Sequence, residues 1–231
     1  MSIQIGVQIR KFCRFVVFLA VISTLATGIF FIQSKVFEIQ TIEVAASGVS
    51  VILDEKKMTN NLLFFSPEKI RRMLLDENIL LADVRFTKKY PHTLIVEPVL
   101  RTPVGRLTTQ TGIVVLDKTG VVLPPSSEQT LPLLIFDVGT VHEGQTITDP
   151  RILQSLRFAE AVGGQEVISS ITARDGPSLV ATIGETDILF TQDVEVETVA
   201  TTLQTLLTGF RIKGSLPKTI DLRFDKPIVT F

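Results

Sequence analysis

The first part of the chain is one uninterrupted apolar segment. Residues 15–34 (FVVFLAVISTLATGIFFIQS) contain no charged side chain. As a helix rising about 1.5 Å per residue, this segment extends roughly 30 Å, which is the thickness of the hydrocarbon core of a bilayer. The pattern therefore predicts a transmembrane helix over residues 15–34, preceded by a short tail over residues 1–14.

Beyond this segment the pattern alternates between strand and helix periods. Residues 37–47 are rich in β-branched types, which indicates a strand, and the polar residues 50–63 allow a short helix. A clearer helix begins at Pro67 and ends near Asn78, because apolar residues recur there three and four positions apart. Two strands follow, ADVRFTKKYP and TLIVEPV. The order strand, helix, helix, strand, strand predicts a small α+β module over residues 37–104.

The pattern over residues 105–231 predicts a β-rich mixed module with two helices. One helix begins after Asp149 and ends at Gly163, and the other begins at Asp193 and is closed by Gly209 and Gly214. Residues 131–144 are predicted to be loop and turn. The predicted strands are a hairpin over 112–125 (GIVVLDKTGVVLPP) with Gly120 in its turn, a meander over 166–173, 178–183 and 186–191, and two final strands over 218–224 (KTIDLRF) and 227–231 (PIVTF).

The distribution of charge indicates how the apolar segment is oriented. The chain carries 23 basic and 24 acidic residues, but residues 1–36 contain four basic residues and no acidic one. By the positive-inside rule the tail stays cytoplasmic and everything after residue 35 is exported, as in a single-pass protein of the cytoplasmic (inner) membrane. A cleaved signal peptide is the alternative; it would have a shorter apolar run and small residues before the cleavage site, where this chain has the bulky residues 29–32.

The sequence offers little that could perform chemistry. It has one cysteine, Cys13, in the cytoplasmic segment, and two widely separated histidines, His92 and His142. No nucleophile, zinc-protease, phosphate-loop or dinucleotide motif is present. Asp175 and Asp187 form an acid–base pair only in principle, since no spacing argument brings them together. We therefore expect no enzymatic activity, no cofactor, no metal and no small-molecule substrate, and the net charge of −1 argues against nucleic-acid binding.

One basic cluster has two interpretations. Lys88, Lys89 and Tyr90 follow one another at the end of a predicted strand. Such a cluster can attract phosphates or lipid headgroups. Adjacent lysines at an exposed strand end more often only protect the strand from unwanted pairing.

Several short motifs follow one another behind the apolar segment. They are FEIQTIEV at 37–44, NILLADVR at 78–85 with the nearby YP and LIV, RTPV at 101–104, LDKTGV at 116–121, LPLL at 131–134 and IDLRF at 220–224. Their order and spacing resemble the FtsQ/DivIB family of bacterial cell-division proteins over nearly the whole chain. The chain departs from the family pattern at Leu100, where the family usually has Glu, and at Leu107, where Trp is common.

This resemblance implies a fold and a role. It implies that residues 37–104 form a POTRA-like βααββ domain and that residues 105–231 form the β-rich C-terminal domain. It also implies a scaffold of the divisome, located at the septum, whose partners are division proteins of the FtsB/DivIC and FtsL type. The rival interpretations are another POTRA-bearing envelope protein for secretion or assembly, and a secreted enzyme with an unrecognised site.

The resemblance and the strand pattern both point to the C-terminus as the partner-binding site. In the family, the C-terminal strand leaves an open sheet edge to which a partner segment adds. Independently, a short terminal strand after Pro227 tends to lie at an edge, where unpaired backbone groups can accept another strand. Phenylalanines there would supply apolar anchoring and an arginine would bind a carboxylate. The predicted partner-binding residues are Arg223, Phe224, Asp225, Lys226, Ile228 and Phe231.

Overall fold

The computed structural model describes residues 2–45, 60–125 and 130–231. By its internal contacts the chain divides into two units, Met1–Leu100 and Arg101–Phe231, here called unit 1 and unit 2. Over the described residues the fold is mixed α+β, which confirms the predicted class, with four helices and two sheets. Judged by length and hydropathy over these residues alone, none of the four helices qualifies as a membrane span.

Unit 1 combines one long helix with a small sheet. Its strands lie in the order β1-β3-β2, with β1 parallel and β2 antiparallel to β3. Helix α2 ends at Glu77, as predicted, and buries Ile70 and Leu74 in the core of the unit. The elements are α1 (Ser2–Val36), β1 (Thr41–Val44), α2 (Pro67–Glu77), β2 (Leu81–Lys89) and β3 (Thr93–Leu100).

Two predictions in unit 1 have different outcomes. The first strand was expected over residues 37–47, but β1 is only Thr41–Val44, because pairing with β3 ends at the register Val44–Val96. Most of the short helix expected over residues 50–63 lies outside the described residues. The part that is described, residues 60–63, forms a bend, a β-bridge between Asn61 and Glu38, and a turn.

Unit 2 is built on one nine-stranded sheet, in the order β12-β11-β10-β9-β8-β7-β4-β5-β6. Its helices are α3 (Pro150–Val162) and α4 (Val196–Lys213). Both present a buried apolar face to the core, where the rings of Phe158 from α3 and Phe190 from the sheet stack with centroids 4.3 Å apart. The strands are β4 (Pro103–Thr109), β5 (Gly112–Asp117), β6 (Val122–Leu123), β7 (Leu133–Ile135), β8 (Ile168–Ala173), β9 (Ser178–Ile183), β10 (Thr186–Thr191), β11 (Thr219–Asp221) and β12 (Ile228–Thr230).

The prediction of loop and turn over residues 131–144 was wrong for three residues. Strand β7 lies there, parallel to both β4 and β8, with Leu134 fully buried. Three residues between turn-forming neighbours show no strand period of their own, so only pairing with the two flanking strands makes this segment extended. Strand β4 was not predicted as a strand either, and the domain boundary expected between residues 104 and 105 falls inside it.

The predicted hairpin is present, and its turn depends on Gly120. Strands β5 and β6 are antiparallel, and Gly120 has a φ of 82°, which L side chains rarely adopt. A Cβ at this position would lie 2.6 Å from the carbonyl oxygen of Ile147 and 2.8 Å from a methyl group of Leu153. The turn therefore requires glycine both for its backbone conformation and for the space around it.

The strand predicted over residues 218–224 ends earlier, at Asp221. The carboxylate of Asp221 accepts a hydrogen bond from the backbone N–H of Arg223 at 3.1 Å. Such a local side-chain bond favours a turn over a continued strand. Arg223, Phe224, Asp225 and Lys226 consequently lie in the connection between β11 and β12 rather than on a strand.

Candidate functional site

The two ends of the large sheet differ in how their outer strands are covered. At one end, β6 bonds on its outer side to residues 144–147: Gly144 donates to the Val122 carbonyl at 2.8 Å, and the Val122 N–H donates to the Gln145 carbonyl at 2.9 Å. At the other end lies β12, which pairs antiparallel with β11. No other described strand pairs with β12, so its outer edge is open to a further strand.

The turn that leads into β12 is held by an arginine–aspartate pair. The guanidinium of Arg223 donates from Nε to Oδ1 of Asp221 at 2.9 Å and from Nη2 to Oδ2 at 2.6 Å, and a third nitrogen lies 3.3 Å from the hydroxyl of Ser178. The hydrogen bond from Arg223 lowers the pKa of Asp221 against the opposing effect of burial. Two parallel bonds of this kind are specific as well as strong, so Arg223 stabilises its own turn first.

The rest of the turn is exposed. Phe224 has 58% of its surface accessible, and the guanidinium carbon of Arg223 lies 5.6 Å from the centre of its ring. Asp225 and Lys226 are exposed as well. Phenylalanine and arginine are enriched in protein interfaces, whereas Asp and Lys are depleted there, so Phe224 and Arg223 are the residues of this turn that an interface favours.

A groove of about 350 Å³ separates this turn from the beginning of α4. Both polar and apolar atoms line it. Its walls include Glu195, Thr198 and Thr202 on the helix side and Leu222, Phe224 and Pro227 on the turn side. The helix residues of this groove were not predicted, since they lie more than twenty positions from the terminal strand and no local pattern links the two.

The final residues continue the apolar surface. Ile228 and Phe231 are 55% and 60% exposed, and the ring of Phe231 meets that of Phe210 from α4 edge-on, with centroids 5.7 Å apart. An open strand edge flanked by three exposed apolar side chains can bind an extended segment through backbone hydrogen bonds, with the side chains supplying apolar contact. All six residues predicted for the site thus lie on β12, on its preceding turn or directly after it.

The other candidate residues lie on different elements. His92 lies in the turn between β2 and β3 of unit 1, whereas His142 lies in a loop of unit 2. Asp175 precedes β9, and its backbone carbonyl accepts from the Ser178 N–H. Asp187 lies on β10, and its carboxylate accepts from the hydroxyl of Thr182 near the other end of β9. Across residues 2–45, 60–125 and 130–231 there is no cluster of His, Cys, Asp and Glu that could hold a metal ion.

Two buried carboxylates of unit 2 were also not predicted. Asp117 accepts from the guanidinium of Arg101 at 2.6 Å, and Glu166 is held by both terminal nitrogens of Arg211 at 2.7 Å each. Burial opposes ionisation of Asp117, but the hydrogen bonds from Arg101, the Val121 N–H and Thr119 outweigh it, so its pKa lies below the ordinary value. Asp117 thereby holds the β5–β6 turn, and Glu166 joins the connection after α3 to Arg211 on α4.

Comparisons with protein-family models and with curated proteins give no match for this chain.

Proposed function

We propose that this protein is a non-enzymatic, single-pass scaffold of the bacterial divisome, of the FtsQ/DivIB kind. In this proposal residues 15–34 anchor it in the cytoplasmic membrane, residues 37–104 act as a POTRA-like domain outside the cytoplasm, and the C-terminal unit binds division proteins of the FtsB/DivIC and FtsL type. The motifs from residue 37 to residue 224 support the family, and the sheet edge supports the mode of binding.

The observation that carries the proposal is the open edge at β12. The opposite end of the same sheet is closed by residues 144–147, so the openness of β12 is a specific feature of one end. A partner that adds a strand here would bury Phe224, Ile228 and Phe231, whose exposure is otherwise unfavourable. The outcome would be a sheet of ten strands shared between two chains.

The anchor is supported by the sequence. Residues 15–34 are uncharged, three cations precede them, and Lys35 follows directly. This arrangement matches a membrane-spanning helix with its N-terminus in the cytoplasm. It would bring residues 37–100 of unit 1 next to the outer surface of the membrane, where membrane-bound division partners are accessible.

A matched pair of substitutions tests the binding edge. Ile228→Asp places a charge beside the β12 edge and should weaken binding of an FtsB/DivIC-type partner at least about ten-fold, since removing an interface anchor costs about 2 kcal/mol or more. Ile113→Asp is the control, because Ile113 is a strand isoleucine of nearly equal exposure, 58% against 55%. Binding is measured by titration calorimetry with the purified full-length chain in detergent.

Hydrogen exchange separates strand addition from other modes of docking. If the partner adds a strand, its binding should slow exchange of amides in Ile228–Thr230 and leave those of β6 unchanged. Equal loss of binding in both aspartate variants, or binding without protection of β12, would contradict the proposed site.

Localisation tests the role itself. A fluorescent protein fused to the cytoplasmic N-terminus should form a band at midcell in dividing cells. An even signal around the envelope would favour the other POTRA-type role, and release of a soluble exported body without residues 1–34 would favour a secreted enzyme.

A further inference from the structure

Two loops of unit 1 meet at the point where α1 ends. Helix α1 ends at Val36, and the ring of Phe37 packs edge-on against Tyr90 in the β2–β3 turn, with centroids 5.8 Å apart. The backbone N–H of Gln40 also donates to the carbonyl of His92 in that turn at 3.0 Å. The β2–β3 turn is therefore held directly beside the exit of the helix.

The second loop precedes α2 and is held to the same exit by backbone hydrogen bonds. The N–H of Leu62 donates to the Phe37 carbonyl at 2.7 Å, and the N–H of Ile39 donates to the Asn60 carbonyl at 2.7 Å. Two residues after Leu62, which is buried, Phe64 is 62% exposed. This loop thus carries an exposed aromatic side chain close to the first residue after α1.

The exposed side chains around this exit have the composition of a membrane-interface belt. Tyr90, the single tyrosine of the chain, is 55% exposed, and Val36 is 46% exposed. Aromatic side chains with one polar end are enriched at the level of the lipid headgroups. We call Lys35, Val36, Phe64, Lys89 and Tyr90 the helix-exit surface.

The charge of this surface is positive. Lys35 and Lys89 are exposed and form no ion pair with any described residue, whereas Glu38 is the nearby carboxylate on the same connection. Lys88 adds a third positive charge, although its ammonium is held by the carbonyl of Phe65 at 3.1 Å and lies 5.9 Å from the ring of Phe65. A lysine or arginine near an anionic membrane surface contributes about 1 kcal/mol of attraction.

We infer that the helix-exit surface binds anionic phospholipid headgroups: Phe64 and Tyr90 enter the interfacial region, and Lys35 and Lys89 contact the phosphates. The inference rests on the anchor in the proposed function, because an α1 that spans the membrane places its exit at the headgroups. It goes beyond that function by fixing one face of unit 1 on the lipid surface rather than leaving the unit to move on a flexible tether. In this inference the Lys88–Lys89–Tyr90 cluster contacts lipid rather than only protecting the strand end.

The chain contains no tryptophan, so single tryptophans report on this surface without background. Tyr90→Trp and Phe64→Trp are prepared in the full chain and reconstituted in vesicles of phosphatidylcholine alone or with phosphatidylglycerol, including versions with brominated acyl chains that quench on contact. Leu80→Trp is the control, because Leu80 is 43% exposed and lies at the other end of β2, roughly 30 Å along the strand from Tyr90.

The expected result is a blue shift and bromine quenching for tryptophan at 90 and at 64, stronger with phosphatidylglycerol and reduced by high salt, with neither effect at position 80. Lys89→Glu should lower the ratio of membrane-bound to unbound helix-exit surface at least about five-fold, because one cation near an anionic surface contributes about 1 kcal/mol. Arg72→Glu, a reversal at an exposed site on α2 next to the Arg71–Asp83 pair, should leave it unchanged.

The other outcomes overturn the inference in distinguishable ways. If the chain resists alkaline carbonate extraction but tryptophans at 64 and 90 behave like the one at 80, the anchor stands and the inference fails. If quenching is equal in the two lipid mixtures, anion recognition fails. A blue shift of the tryptophans at 64 and 90 in native membranes that is absent in pure lipid vesicles assigns the surface to a protein partner. If carbonate extracts the chain, the anchor fails, and with it this inference and the membrane part of the proposed function.

Discussion

At the scale of single residues, two buried carboxylates of unit 2 and the half-buried Asp221 each have an arginine within 2.7 Å. The pairs are Arg101–Asp117, Arg211–Glu166 and Arg223–Asp221. A carboxylate removed from water is tolerated only when it is paired and hydrogen-bonded. In each case the pair lies at a turn or a helix end, where it stabilises the direction that the chain takes.

The most deeply buried of these pairs predicts a pH-dependent stability. The pKa of Asp117 lies below its ordinary value of 3.8 in the folded chain, so its ion pair stabilises the fold fully above that value, and the stabilisation is lost as the pH falls through the folded pKa. At pH 7, Asp117→Asn should lower the free energy of unfolding by about 3 kcal/mol, the cost of breaking a buried pair.

Urea unfolding of both proteins at a series of pH values measures this effect. The difference between wild type and Asp117→Asn should shrink below about pH 4, because protonated Asp117 no longer forms an ion pair. The remaining carboxylates titrate in both proteins and cancel in the difference. A difference that stays constant down to pH 2 would show that the charge of Asp117 contributes nothing to stability.

At the scale of elements, the helices of unit 2 are held by apolar contacts with the sheet. Phe158 on α3 and Phe190 on β10 are both fully buried and stacked. In the β11–β12 turn, by contrast, Phe224 is mostly exposed. The same residue type therefore stabilises the fold at one position and is available for binding at the other.

This contrast predicts that replacing phenylalanine by alanine has different effects at the two positions. Phe158→Ala should lower the free energy of unfolding by about 3–5 kcal/mol, because it leaves a cavity in the core. Phe224→Ala should change it by less than about 0.5 kcal/mol and should instead weaken partner binding. Chemical denaturation and calorimetric titration of the two variants measure both effects, and a large loss of stability in Phe224→Ala would remove it from the binding site.

At the scale of the whole molecule, each unit has a hydrophobic core of its own. Leu62, Phe65, Leu94 and their neighbours form the core of unit 1, and a larger cluster that includes Leu107, Phe158 and Leu203 forms that of unit 2. A separate core is the physical requirement for independent folding.

A fragment of residues 101–231 should therefore fold without the rest of the chain. We expect mixed α/β circular dichroism, dispersed amide resonances and one cooperative thermal transition. A fragment that begins at residue 105 lacks Arg101 and the first residues of β4. Its melting temperature should be lower than that of the 101–231 fragment, because Asp117 loses its partner. A non-cooperative transition in the 101–231 fragment would show that unit 2 depends on unit 1.

Elements with a strong local signal could be predicted from the sequence. The helix after Pro67, the helix after Asp149 and the hairpin with Gly120 were found because capping, period and turn residues agree within one segment. Strand β7 was missed because its extended conformation depends on pairing with β4 and β8, which are far away in the chain. Strand β4 was missed although its antiparallel partner β5 follows it directly in the chain. The strand ending at Asp221 was predicted three residues too long, since one side-chain hydrogen bond to Arg223 ended it.

The candidate site, like the fold, was predictable only in the features that follow from local sequence. The sequence alone determined the mixed α+β class, the positions of the amphipathic helices, and the C-terminal segment as the place to look for an open edge, since these follow from local period and chain position. Only the tertiary structure decided that β12 is open while β6 is covered, and that Phe210 and the start of α4 adjoin Phe231 and Phe224. It also decided that Tyr90 and Phe64 flank the end of α1, because such contacts depend on which segments pair across the fold, which no local pattern specifies.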